Sequence, residues 1–281
     1  MRTWTMPLLT MMIITGGCSI QEDNPWELVW SDEFTGEEID SAKWKFDIGN
    51  GFHNENGDFI AGWGNSEKQY YTGRNVNARL ENSSLIIEAR REYYGDCAFT
   101  SAKLKTQGLF SQAYGKFEFR AKLPVGRGVW PALWLLPETH TYGGWAASGE
   151  IDIMEAKGSK PNKVSGAIHF GGGWPNNVYA TEEYTLPNNE RIDDFHVYAL
   201  EWEPDEIRWY VDGALYQTQK DWYSLPAEGD MQRPFPAPFD QPFHVIINLA
   251  IGGHFDGDPD ETTEFPAIME VDYVRVYKKT T

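Results

Sequence analysis

The sequence has little basic character and few cysteines. Its 281 residues carry 24 Lys and Arg against 42 Asp and Glu, which gives a net charge of −18. Because a chain this acidic repels nucleic acid and anionic membranes, we expect neither as a direct partner. The cysteines are only Cys18 and Cys97. If Cys18 is modified, no internal disulfide forms and the fold depends on its core.

The first 17 residues are typical of an export signal. Arg2 is followed by a mostly apolar run from Trp4 to Ile14, which is too short to span a bilayer. Small residues directly before Cys18 resemble a bacterial lipoprotein signal, although Thr15 stands where that signal usually has Leu. We therefore expect export as an outer-membrane or cell-surface lipoprotein attached only by lipid on Cys18. The alternative is a plain secretory signal and a secreted or periplasmic protein.

Aromatic residues, in contrast, are abundant. The chain has 12 Trp, 14 Tyr and 15 Phe, which excludes a largely disordered protein. This number of tryptophans exceeds what a core alone usually needs. The surplus indicates flat surfaces on which a ligand with apolar faces, such as a sugar ring, can stack.

The chain after residue 25 has the pattern of one all-β domain over residues 25–281. Short apolar or alternating runs are separated by Gly, Pro, Asn and Asp, which is typical of a sandwich or barrel. The last strand is predicted close to the C-terminus, and a hairpin with a four-residue loop is predicted around residues 203–206. The predicted strands include Leu85–Ala89, Gly115–Leu123, Gly128–Leu136, Val164–Phe170, Phe195–Trp202, Ile207–Val211, Phe243–Ile251 and Val271–Tyr277.

Three carboxylates lie close together in the run Ser148–Ala156. Glu150 and Asp152 alternate with isoleucines, so they share one face of a strand. Unbroken alternation would send Glu155 to the opposite face and bury its charge under the sheet, at a high cost. A β-bulge near Ile153 and Met154 shifts the phase by one residue and returns Glu155 to the face of Glu150. We therefore predict a bulge and three carboxylates on one face.

Such a cluster suits acid–base chemistry on a glycosidic bond. With the bulge, the Cα atoms of Glu150 and Glu155 are about 13 Å apart, and their side chains close much of that gap. Retaining glycosidases hold two carboxyl groups about 5–5.5 Å apart, and inverting enzymes hold them about 6.5–9.5 Å apart. The estimate is compatible with retention and leaves inversion open. A calcium site and a solvated acidic edge are the other interpretations.

Aromatic residues flank this cluster. Trp130 and Trp134 share a strand face on either side of the small Ala132, and Trp145 lies just before the carboxylates. On that face they form a surface with room for a sugar, and packing in the core is the alternative for each. His169 shares its face with small residues, so it has space to bond a sugar hydroxyl or a carboxylate, unless its role is structural.

At these residues the sequence resembles family 16 glycoside hydrolases, in particular the bacterial laminarinase-like endo-β-1,3-glucanases. Their hallmark is a Glu-x-Asp-x-x-Glu strand, which Glu150, Asp152 and Glu155 fill. The resemblance extends along most of the chain. The other matching segments are Trp30–Phe34, Gln69–Thr72, Tyr114–Glu118, Trp130–Trp134, His169–Gly172, Trp174–Pro175, Phe239–Phe243, Asn248–Gly253 and Val271–Tyr277.

The resemblance implies a jelly-roll β-sandwich of two antiparallel sheets, with polysaccharide bound across the concave face. It also implies that Glu150 is the nucleophile, Glu155 the acid/base and Asp152 an assisting residue. The resemblance implies no cofactor for catalysis. It does imply a structural calcium bound at Asp272. We expect a monomer. The resemblance places six further residues at the substrate: Trp130, Trp134, Trp145, His169, Asn65 and Arg90.

Three functions follow from these features. The first is a retaining endo-hydrolase of β-1,3-glucan or mixed-linkage β-glucan. The second is a hydrolase of a red-algal galactan such as agarose or porphyran, since such enzymes share the bulged motif. The third is a non-catalytic β-glucan-binding protein, which the presence of all three carboxylates disfavours. Two departures from the laminarinase pattern, Ala146-Ala147 and His254–Gly257, lie outside the carboxylates.

Overall fold

The structure, a computed structural model, describes residue 1 and residues 25–54, 56–226 and 231–280. Cys18 and nearly all of the predicted signal segment lie outside the described residues, so export and lipidation stay predictions. Within the described ranges, no helix is long and apolar enough to cross a membrane. Cys97 is a free thiol.

The described chain forms nineteen strands and one short 3₁₀ turn at Gly62–Gly64. The strands are β1 Trp26–Asp32, β2 Lys45–Phe46, β3 Gly51–His53, β4 Phe59–Ala61, β5 Gln69–Tyr71, β6 Ala78–Glu81, β7 Ser84–Tyr94, β8 Cys97–Ser101, β9 Lys103–Lys105, β10 Gly115–Lys122, β11 Val129–Pro137, β12 Glu150–Glu155, β13 Lys163–Gly171, β14 Asn177–Thr185, β15 His196–Trp202, β16 Ile207–Val211, β17 Ala214–Gln219, β18 Phe243–Ile251 and β19 Ala267–Lys279.

Two large sheets pack face to face, which confirms the predicted all-β sandwich. The seven-stranded sheet, called the cleft sheet below, has the order β14-β13-β12-β11-β18-β9-β2. The ten-stranded outer sheet has the order β17-β16-β15-β10-β19-β7-β8-β5, with β1 paired to β19 and β6 to β7. The pairings within both sheets are antiparallel except for β5 with β8. A small hairpin of β3 and β4 completes the set.

The core lies between the two sheets. Alternate residues of each strand point inward, for example Leu133 and Leu135 on β11, and Val245 and Ile247 on β18, all fully buried. Four tryptophans, Trp44, Trp202, Trp209 and Trp222, also belong to this core. The opposite face of the cleft sheet therefore presents the other residues of the same strands, among them Trp130 and Trp134.

Most predicted strands are present with small shifts at their ends. The predicted hairpin is confirmed, because Trp202 of β15 pairs with Ile207 of β16 across residues 203–206. The strand predicted at Leu85–Ala89 is longer and runs to Tyr94. Its polar continuation pairs with β8 through Gly95 and Asp96, which both have positive φ, as in a tight hairpin turn.

Candidate active site

The predicted bulge is confirmed on β12. Asp152 pairs with Trp134 and Glu155 with Ala132, so one more residue separates the two acids on β12 than separates their partners on β11. The register with β13 shifts over the same interval, between Asp152 and Glu155. The extra residue changes the phase of the strand, and Ile153 and Met154 are both buried. Glu155 therefore returns to the face that carries Glu150 and Asp152.

A core tryptophan supports the strand at the bulge. The indole N–H of Trp209, on β16 of the outer sheet, donates to the backbone carbonyl of Asp152 at 2.8 Å. This approach needs Gly166 on β13, because a Cβ there would lie 2.4 Å from Trp209 Cδ1. The bond satisfies a backbone group next to the irregular part of the ladder, where sheet pairing is interrupted.

Two tryptophan side chains hold the outer carboxylates of the cluster. Trp145 Nε1 donates to Glu150 Oε2 at 2.7 Å, and Trp130 Nε1 donates to Glu155 Oε1 at 2.9 Å. Trp130 in turn stacks on Phe255, with ring centroids 4.9 Å apart. An indole only donates, so each bond fixes the orientation of a carboxyl oxygen without removing the other oxygen from use. The loop that departs from the family pattern thus supplies Phe255 to the site.

His169 lies beside the middle of the cluster. Its Nε2 is 3.3 Å from Asp152 Oδ2 and 3.7 Å from Glu150 Oε1. Burial lowers the pKa of His169, but contact with Asp152 and the charges of the three carboxylates outweigh it and raise the pKa to about 9. His169 is therefore cationic near neutral pH and compensates part of the negative charge on the strand.

Both glutamates of the cluster hold a proton more firmly than a free carboxyl group does. Burial, followed by the negative charge of Asp152, raises the pKa of Glu150 to about 7 and that of Glu155 to about 8. The two carboxyl groups therefore titrate as an interacting pair near neutral pH, where one can be ionised while the other keeps its proton. Such a pair can divide the tasks of nucleophile and acid.

Replacing Asp152 by Asn should lower activity and move the pH optimum downward. Asp152 raises the pKa of Glu150, Glu155 and His169, so loss of its charge lowers all three. Glu155 then loses its proton at lower pH, and at neutral pH we expect kcat/KM to fall by about 10²-fold or more. The pH profile of kcat/KM measures both effects.

Asp205→Asn is the matched control for this prediction, because Asp205 is exposed in the loop between β15 and β16 of the outer sheet. It should leave both the height and the position of the profile unchanged. An Asp152→Asn profile that matches wild type in both respects would make Asp152 a structural bystander.

A buried hydrogen-bonded chain lies beneath Trp134. Its Nε1 donates to Asn248 Oδ1 at 2.7 Å, and Asn248 Nδ2 donates to the Tyr71 hydroxyl at 3.0 Å. The Tyr71 hydroxyl donates to Glu67 Oε2 at 3.3 Å. The chain fixes the indole plane of Trp134 on the cleft face, where the sequence predicted it.

Lys103 is the buried cation of the cleft sheet. Its Nζ lies 4.4 Å from the ring centroid of Trp63 and 4.8 Å from that of Trp134. Burial lowers its pKa, while the nearby charges of Asp47 and Glu67 act in the opposite direction. Lys103 therefore contacts both the Trp134 indole on the cleft face and the Trp63 ring on the neighbouring loop.

Asn65 lies on the loop at one border of this face. Its side chain donates to Glu67 Oε1 at 3.1 Å, and its carbonyl accepts a bond from the His254 N–H at 3.0 Å. A Cβ on Gly253 would be 2.8 Å from the Asn65 carbonyl and 3.5 Å from Trp130, so the loop packs closely beside Trp130. The structure thus brings Asn65 near the predicted site residues without direct contact with a carboxylate of the cluster.

Arg90 does not belong to the site, and this prediction is wrong. Leu85, Ile87 and Ala89 of β7 take the core face of the outer sheet, so by alternation Arg90 takes the opposite face with Glu88. The guanidinium pairs with the Glu88 carboxylate there. The sandwich core therefore separates Arg90 from the cleft sheet.

Asp272, the predicted calcium ligand, forms an ion pair with Arg120. Arg120 Nη1 donates to Asp272 Oδ2 at 2.6 Å. Among the described residues, no group of three or more potential metal-binding side chains includes Asp272. The Asp272 carboxylate is thus paired with Arg120, and a structural calcium at Asp272 stays a prediction.

Several residues that support the site were not identified from the sequence. Lys103 and Lys105 flank the buried Leu104, and this alternation is a signal that both lysines face the cleft. Asn248 alternates with buried apolar residues in the same way on β18. Glu67 and Tyr71 gave no such signal, because their roles depend on contacts between distant segments.

An aromatic-lined sheet with two carboxyl groups of raised pKa on one face is the arrangement of a glycoside hydrolase. Residues 56–275 match the sequence profile of glycosyl hydrolases family 16. The chain belongs to this family.

Known relatives cover most of the chain. Glucan endo-1,3-beta-glucosidase A1 of Niallia circulans is 45% identical over 90% of this chain, which spans 38% of that protein. A beta-glucanase of Rhodothermus marinus is 46% identical and is covered over 85% of its length. The laminarinase catalytic domain of Thermotoga maritima superposes with a TM-score of 0.77 at 42% identity, covering 91% of this chain and 99% of that one.

Proposed function

We propose that this chain is a retaining endo-hydrolase of β-1,3-glucan, with mixed-linkage β-glucan as a second substrate. The observation that carries the proposal is the bulged strand β12, which aligns Glu150 and Glu155 on one face with an indole N–H on each. The substrates are supported by the glucanase names of the similar proteins.

Two carboxyl groups are enough for the chemistry. The Glu150 carboxylate attacks the anomeric carbon while Glu155 gives its proton to the glycosidic oxygen, and the C–O bond to the leaving sugar breaks. The Glu155 carboxylate then takes a proton from water, whose oxygen displaces Glu150 from the same carbon. Two inversions at one carbon give net retention. Asp152 and His169 set the protonation of the two glutamates.

The charges beside the cleft favour a neutral polymer. Lys160 and Lys163 both pair with Glu183 on β14. On the other side of the cleft sheet, Lys105 pairs with Asp47 at 2.6 Å. These three lysines are therefore compensated, while Lys157 lies over Phe255 with its Nζ 4.6 Å from the ring centroid. Binding of a sulfated galactan would need several unpaired cations along the cleft.

Product analysis on a panel of polysaccharides tests the proposal. Purified protein is incubated with laminarin, curdlan, lichenan and agarose, and the released oligosaccharides are separated by size. We expect fast release of short oligosaccharides from laminarin, slower release from lichenan, and none from agarose. Cleavage of agarose alone would establish the galactan hydrolase, and binding of laminarin without cleavage would establish the glucan-binding protein.

A further inference from the structure

Two exposed aromatic residues, called the pair below, lie at one side of the cleft sheet. Trp174, in the turn between β13 and β14, is 77% exposed, and Tyr179 on β14 is 63% exposed. Among the tryptophans in the described ranges, Trp174 alone has a mostly exposed side chain. Large exposed apolar side chains beside a cleft mark a place where a ligand or partner binds.

The pair is continuous with the residues around Glu150. Tyr179 pairs with His169 across the β13–β14 ladder, and their rings are 5.8 Å apart. The His169 ring is in turn 5.5 Å from that of Trp145. The backbone N–H of Trp174 donates to the Trp145 carbonyl at 3.2 Å. The ring of Tyr179 and the backbone of Trp174 are therefore in contact with residues that surround Glu150.

Strand order places the pair beyond the reacting sugars. Tyr179 lies on β14, the edge strand of the sheet, two strands from Glu150 on β12. At the usual spacing between strands this is about 10 Å along the row that crosses the sheet. A polysaccharide that lies across the strands and reaches the edge must pass over Tyr179.

The turn that carries Trp174 is held in place before any ligand binds. The Gly171 N–H donates to the Tyr223 carbonyl, and the Leu225 N–H donates to the Gly171 carbonyl. Within the turn, the Asn176 N–H donates to the Gly173 carbonyl at 2.8 Å. A turn fixed in this way loses little conformational entropy when a ligand stacks on it.

From these contacts we propose that Trp174 and Tyr179 form a distal sugar-binding subsite at the β14 edge of the cleft. The ligand is a neutral pyranose of the same polysaccharide chain that is cleaved at Glu150. It stacks an apolar ring face on the indole and the phenol. This inference rests on the proposed glucanase function and adds where the distant part of the substrate binds.

Chain length is the variable that tests the subsite. In Trp174→Ala and Tyr179→Ala, kcat/KM is measured on β-1,3-linked glucose oligomers of increasing length and on laminarin. Loss of one stacked ring should lower kcat/KM on the long chains by about threefold to tenfold. The loss should decrease as the oligomer becomes too short to reach the β14 edge. Tyr93→Ala is the control, since Tyr93 is 76% exposed but lies on β7 of the outer sheet.

A binding measurement separates the subsite from the chemistry. Retardation in a native gel that contains laminarin is compared for Glu150→Ala with and without Trp174→Ala, and the double variant should be retarded less. Equal retardation, or an equal loss of kcat/KM at every chain length, would overturn the subsite while the glucanase function stands. A wild-type chain that neither cleaves laminarin nor is retarded by it would overturn both. Unfolding midpoints equal to wild type exclude a folding defect as the cause of a loss.

Discussion

Glu150→Ala should abolish turnover of laminarin, with a loss of about 10⁴-fold or more, the scale seen when a covalent nucleophile is removed. Glu150 is half-buried beside Asp152 and His169, and burial and the charge of Asp152 raise its pKa to about 7. Alanine removes the group that attacks the anomeric carbon and leaves Glu155 in place. The loss is measured as the initial rate of reducing-end formation.

Azide rescue tests whether Glu150 is the nucleophile. In Glu150→Ala, azide fits the space of the missing carboxylate and attacks the anomeric carbon from the face opposite the leaving sugar. We therefore expect partial recovery with an activated β-glycoside and an α-linked glycosyl azide as product. Glu183→Ala, which removes a carboxylate from β14, should retain most of the activity and need no azide. A β-linked azide product from Glu150→Ala would contradict the assignment.

Glu155→Ala should lower activity on laminarin by about 10²–10⁴-fold, the usual range for loss of an acid–base group. Glu155 accepts the Trp130 N–H and holds its proton to a pKa of about 8. Without it, the leaving sugar departs unprotonated. An aryl glycoside whose phenol is already a good leaving group should therefore form the glycosyl enzyme at a nearly normal rate, which pre-steady-state kinetics measures.

The pH profile and azide complete this test. Wild-type activity falls as pH rises through about 8, because Glu155 must be protonated in the first step. This alkaline limb should be absent in Glu155→Ala with the aryl glycoside. Azide should attack the glycosyl enzyme on its open face and give a β-linked product. A retained alkaline limb would assign the acid to another residue.

The sequence was sufficient for the site's central geometry. Parity along β12 required a bulge to keep Glu155 out of the core, and the register of Asp152 and Glu155 with β11 confirms it. The same alternation correctly put Trp130 and Trp134 on the face of the carboxylates. These features are local, because a strand's period of two fixes which face each side chain takes.

Features that depend on contacts between distant segments could not be predicted from the sequence. Alternation from Leu85 to Ala89 gives Arg90 the face opposite the core, but only the sheet order, which puts β7 in the outer sheet, shows that this face points away from the cleft. The chain from Trp134 through Asn248 and Tyr71 joins three strands that are far apart in sequence. Sheet order decides which segments meet, and local sequence patterns do not determine sheet order.

The anomeric form of the first product tests the central claim most directly. Wild-type protein is added to laminarin oligomers in an NMR tube, and the anomeric proton signals are followed before mutarotation equilibrates them. Double displacement by Glu150 and Glu155 predicts that the β-anomer appears first and the α-anomer only later. An α-anomer that appears first would show single displacement by water and would contradict the assignment of Glu150 as nucleophile.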